Sequence, residues 1–94
     1  MNDSIKDFIK INEDIYLYQK LLKLAKSGDK KKFLEILSIQ KNININYKDE
    51  NGYTALHYAC DEGNLKIVEI LINAHCDINI KNNNNNKHLY IFQP

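Results

Sequence analysis

The sequence contains no arginine: all thirteen of its basic residues are lysine. That removes the side chain best suited to bidentate reading of phosphate and guanine. It also lacks charge of one dominant sign. Thirteen lysines face twelve acidic residues, for a net charge of +1. The one-sided basic field of a polyanion binder is therefore missing, and no nucleic-acid partner is expected. Cysteine is scarce, with only Cys60 and Cys76. With no secretory signal in view, two such thiols read as reduced and buried rather than bridged. Long apolar runs are absent as well. The start, Met1-Asn2-Asp3-Ser4, is polar, and acidic residues interrupt every apolar stretch before Leu21. Neither a signal peptide, a membrane span nor a transit peptide is expected. The expected location is intracellular, in the cytoplasm, with no membrane partner.

What is present fits one small folded domain. The chain has 94 residues, 44% hydrophobic and 27% charged, which is globular rather than disordered in type. A chain of this length buries roughly 60% of the surface that its unfolded form exposes, so its core is modest.

Helical periodicity appears in several blocks. Over 4–11, Ser4 is a candidate cap and Ile5, Phe8 and Ile9 share a face. Over 13–26, Asn12 is a candidate N-cap, Glu13 and Asp14 fall in the first turn, and Ile15, Tyr18, Leu21, Leu22 and Ala25 recur at helical spacing. Gly28 is placed to end that helix, and Asp29 to open another carrying Phe33, Leu34, Ile36 and Leu37. Residues 41–53 lose the helical period and end in the turn signal Asp49-Glu50-Asn51-Gly52. Thr54 starts the next helix, Gly63 ends it, and Asn64 caps a fourth with Leu65, Val68, Leu71 and Ile72. Cys76 to Ile80 reads as extended, 82–86 is a run of asparagine, and Leu89-Tyr90-Ile91-Phe92 is apolar again.

The order helix, glycine turn, helix, extended arm thus occurs twice. Gly28 and Gly63 lie 35 residues apart, close to a repeat period of about 33. The segment Asp49-Glu50-Asn51-Gly52-Tyr53-Thr54-Ala55-Leu56-His57-Tyr58-Ala59-Cys60 resembles the ankyrin repeat family. The resemblance continues through Gly63-Asn64-Leu65 to Asp77-Ile78-Asn79, so it spans about 49–80. It implies an all-α solenoid of helix-turn-helix units with short β-hairpin loops. It divides the chain into an N-terminal helical capping segment, 1–19, and a repeat region, 20–94. Within that region 20–48 is a degenerate repeat, 49–81 a full one and 82–94 a partial one, with Asn82, Asn85 and Leu89 at the Asp, Gly and Leu positions.

The resemblance also assigns roles. Gly52 allows the loop tip, Thr54 caps its helix near His57, His57 bridges loop backbone, Leu56 packs in the stack and Gly63 allows the helix-to-helix turn. Leu56, Ala59, Cys60, Val68, Leu71 and Ile72 are expected to build the stack. Ala55 replaces the family's proline, and His75 stands where glycine usually takes a left-handed turn. Asn79 falls where some family members are hydroxylated; its plainer role is turn hydrogen bonding.

No enzyme site is expected. His57, Cys60, His75 and Cys76 match no zinc spacing, and the resemblance gives His57 and Cys60 structural positions. No metal, cofactor or catalytic residue is assigned. Lys30-Lys31-Lys32 reads as a solvated loop before a helix, and the N-terminal helix as a cover for the first repeat, since its polar face mixes lysine with acids. The expected function is a non-catalytic protein–protein interaction module. Its candidate partner-binding residues are Glu50, Asn51, Tyr53, Tyr58, Asp61 and Glu62, an aromatic and acidic patch whose two tyrosines the resemblance places on the concave side. The alternative is a truncated repeat fragment without binding of its own. The stacking face of 54–74 needs cover, either from Leu89, Tyr90, Ile91 and Phe92 or through self-association of two copies.

Overall fold

The computed structural model of the chain describes residues 3–40 and 42–82. Those residues form four helices and no strand: α1 (Asp3–Ser27), α2 (Lys30–Ile39), α3 (Ala55–Asp61) and α4 (Leu65–Asn73). The class is all-α, as the resemblance implies. Two helical hairpins, α1–α2 and α3–α4, flank an arm described over 42–54. Each hairpin turns on a glycine in the left-handed region, Gly28 at φ 83° and Gly63 at φ 70°, where a β-carbon would be strained.

The two helices read over 4–11 and 13–26 are one. Nothing in Asp3–Ser27 breaks a helix, because the segment contains neither glycine nor proline. Asn12 is a good cap by type, but inside a helix it costs only a fraction of a kcal/mol (about 0.7 at most), so the helix runs through it. At ~1.5 Å per residue α1 is about 37 Å long, in a molecule whose longest dimension is 55 Å.

Among the described side chains of α1, those in its C-terminal half enter the core. Leu21, Leu24 and Ala25 pack with Phe33 and Ile36 of α2, Ala55, Leu56 and Ala59 of α3, and Ile67, Val68 and Leu71 of α4. Ala25 and Ala59 are completely buried, and their small side chains let α1, α2, α3 and α4 approach closely. The N-terminal half of α1 leaves Ile5, Ile9 and Tyr16 exposed.

On α4 the expected apolar face is rotated. Ile67, not Leu65, is buried; Leu65 is 74% exposed, and Ile72 is also exposed. Cys60, likewise assigned to the stack, is half-buried at its margin. Asn64 is the N-cap of α4 by position, but its side chain makes no capping bond. Its Nδ2 donates instead to the carbonyls of Ala25, at 2.7 Å, and Lys26, at 3.1 Å. These accept because the last carbonyls of a helix have no partner within it. The amide therefore pins the second hairpin to the end of α1.

The two arms are copies. Asn44-Ile45-Asn46-Tyr47-Lys48-Asp49 and Asp77-Ile78-Asn79-Ile80-Lys81-Asn82 are offset by 33 residues. In each, the first residue's side chain accepts from the backbone two residues on, Asn46 N–H to Asn44 at 3.0 Å and Asn79 N–H to Asp77 at 2.9 Å. Asn46 Oδ1 also accepts the Asp77 N–H at 2.7 Å, which ties one arm to the next. His75, where glycine is usual, holds φ 61°. The partial repeat beyond Asn82, including Asn85, Leu89, Tyr90, Ile91 and Phe92, lies outside the described residues.

Candidate protein-interaction surface

The surface is built on a loop tip and the helix that follows it. Thr54 caps α3: its Oγ1 accepts the His57 N–H at 3.3 Å, and His57 Nδ1 accepts the Thr54 N–H at 3.0 Å. Both side chains are buried. This reciprocal box satisfies a free amide at each end of the first turn and fixes where α3 starts.

Asp49 organises the tip. Its Oδ1 accepts from the backbone N–H of Asn51 at 2.9 Å and of Tyr53 at 3.0 Å. Its own N–H bonds the Tyr53 carbonyl and its carbonyl accepts from Gly52, each at 2.9 Å, with Gly52 at φ 78°. The tip is thus a tight turn whose carboxylate replaces strand pairing. The Tyr58 hydroxyl, one turn into α3, donates to Asp49 Oδ2. That bond lays the tip against α3.

The electrostatics of the pair follow from this geometry. Burial alone would raise the Asp49 carboxyl, but hydrogen bonds from Tyr58, Tyr53 and Asn51 hold it below its ordinary value. Burial and the bond to Asp49 push the Tyr58 phenol up to about 12. Burial, then Asp61, pushes the Cys60 thiol up to about 11, and burial and Asp77 raise Cys76. Both cysteines are free and, at neutral pH, protonated.

Of the six residues read as partner-binding, the structure brings Tyr53, Tyr58 and Asp61 together. The Tyr53 ring lies 5.2 Å from Tyr58 and 5.5 Å from His57. Asp61 follows Tyr58 by three residues on α3 and is close enough to raise its phenol. Glu62 is the C-cap of α3, four residues on, and is exposed. Glu50 and Asn51 are exposed on the tip. Sequence reasoning missed two participants. Asp49 stands first in the repeat motif but was read only as a turn residue. Lys26, from the preceding hairpin, sets its Nζ 6.0 Å from the Tyr58 ring centroid; its only sequence signal is a place one repeat before Asp61.

Elsewhere, Lys30 to Lys32 sit exposed in the first turn of α2, where Asp29 caps the Lys32 N–H at 3.1 Å and pairs loosely with its ammonium at 3.9 Å. Among the described residues, no three His, Cys, Asp or Glu side chains are placed to hold a metal, and no helix is long and apolar enough to cross a membrane. A cavity of about 200 Å³ lies between Lys10, Asp14, Leu17, Tyr18, Gln40 and Asn42, and a shallow one of about 470 Å³ lies beside Ile9, Glu13, Tyr16 and Leu17.

A family model described as ankyrin repeats (many copies) matches residues 36–92. Among known proteins, the chain is 42% identical over 60 residues to alpha-latrotoxin-Lg1a of Latrodectus geometricus, covering 64% of this chain and 4% of that protein. It is 34% identical over 68 residues to Caskin-1 of Rattus norvegicus, covering 72% of this chain and 4% of the relative. It is 40% identical over 72 residues to a putative ankyrin repeat protein of fowlpox virus (strain NVSL), covering 77% of this chain and 16% of that one. The chain therefore spans only a small part, 4–16%, of the length of these relatives.

Proposed function

The chain belongs to the ankyrin repeat family, and from that premise we propose that it is a non-catalytic protein–protein interaction module. Its partner is another protein, gripped by Tyr53, Tyr58, Asp61 and Glu62 with the tip residues Glu50 and Asn51. The observation that carries this reading is the Tyr58–Asp49 bond. It fixes the tip to α3, so two tyrosine rings are presented in set positions without loop-ordering cost on binding. Tyrosine anchors of this kind dominate interface energetics. The free, protonated thiols suit a reducing, intracellular compartment. We read residues 1–19 as a capping segment, 20–48 and 49–81 as the repeats behind the surface, and 82–94 as a partial repeat.

Cross-linked capture of a partner by the intact chain tests the proposal. Capture by the native chain that is lost in Tyr53→Ala, with an unchanged melting curve, supports it. Equal capture by both overturns the assignment of the surface.

A further inference from the structure

The chemistry of the partner is legible in what already surrounds Tyr58. One face of its ring carries the Lys26 ammonium at 6.0 Å, within the range of a cation–π contact. The hydroxyl end is turned into Asp49. The Tyr53 ring stands beside it at 5.2 Å, a second aromatic face. Asp61, three residues on along α3 and close enough to act on the Tyr58 phenol, borders that ring with negative charge, and the exposed Glu62 follows it. Asp49 adds a carboxylate held in its charged form by its hydrogen bonds. Aromatic faces edged by carboxylates attract cations twice over, through the ring quadrupole and through charge. The chain's own Lys26 shows that the position is open to an ammonium.

We propose that the surface takes a basic segment of its protein partner, with a lysine or arginine side chain seated on Tyr53 and Tyr58 and facing Asp61, in the place that Lys26 occupies in the free protein. This rests on the interaction reading above and narrows it to one class of partner. Lys26 is then a tethered placeholder that the incoming cation displaces. The acidic residues set partner choice and association rate, and the rings supply the contact area.

The test is selection of random twelve-residue peptides from a display library on the intact chain. The selected peptides are then measured against the native protein, Tyr53→Leu, Asp61→Lys and Lys26→Ala, each checked for an unchanged melting curve. The expected result is enrichment of Lys- or Arg-bearing peptides, weakened about tenfold by Asp61→Lys and by Tyr53→Leu. Lys26→Ala should tighten them by about threefold, because the competing ammonium is gone. Acidic or neutral peptides that still need Tyr53 would overturn the basic-partner inference and leave the interaction surface standing. Peptides indifferent to Tyr53 and Asp61 would overturn both the inference and the surface. The absence of any selected peptide would overturn the interaction reading itself.

Discussion

Tyr58 carries two duties that separate experimentally. Its ring belongs to the proposed binding surface, and its hydroxyl holds the tip through Asp49. Tyr58→Phe keeps the ring and removes only the bond. It should lower stability by about 1 kcal/mol, the net worth of one hydrogen bond at a half-exposed site, read as a fall in urea midpoint. The same variant should delete a tyrosinate step at about pH 12 from an alkaline absorbance titration, since burial and the bond to Asp49 push the Tyr58 phenol up to about 12. Asp49 gives a pH signature of its own. Its folded-state pKa lies below its ordinary value of 3.8. The stability it contributes is therefore complete above that ordinary value and is lost as pH falls through the folded-state pKa. Melting curves between pH 7 and pH 2 should show a steeper loss for the native chain than for Asp49→Asn; parallel curves would remove the carboxylate from the account. These duties were only partly visible beforehand. The motif marks Asp49, Tyr53 and Tyr58, but a bond between residues nine apart depends on how the tip closes, which residue types alone do not state.

The helices show how a local signal yields to its surroundings. Asn64 sits at a cap position, yet its amide donates to Ala25 and Lys26 because the end of α1 offers unpaired carbonyls at the right distance. Its Oδ1 also lies 2.8 Å from where a β-carbon on Gly28 would fall, so the turn and the staple fit one another. Asn64→Ala should therefore cost about 1–2 kcal/mol, more than its missing cap role would suggest. It should also raise hydrogen exchange in α4 relative to α1. Likewise the spacing of apolar residues on α4 puts Ile72 in the stack and passes over Ile67, whereas Ile67 is buried and Ile72 exposed. Ile67 joins the core shared by the four helices and Leu65 faces outward, a register set by that packing rather than by the spacing of apolar residues. Ile67→Ala should cost about 2–5 kcal/mol and Leu65→Ala about 0.5 or less, read from denaturant midpoints. Reversal of that order would mean that α4 is turned the other way.

At the scale of the molecule, the repeat was the most legible feature. The glycines at 28, 52 and 63 and the run Thr54-Ala55-Leu56-His57 determine turns, a cap and a helix start that hardly depend on the rest of the chain. The arms keep a strict 33-residue offset while the hairpin glycines are 35 apart, so the two extra residues lie between Gly28 and Asn44. The continuity of α1 was less legible, because a cap-like Asn12 and a mixed polar face mimic a boundary. The placement of Lys26 over Tyr58 was not legible at all, since it arises from stacking one hairpin on the next. Together these features describe a short stack that presents one ordered, aromatic and acidic surface made by two successive units. That surface is the central claim. Hydrogen–deuterium exchange of the chain with its captured partner addresses it directly. Protection concentrated over 49–62, with Lys26 in the same footprint, is the predicted result. Protection confined to α2 and α4, with 49–62 unchanged, would contradict it.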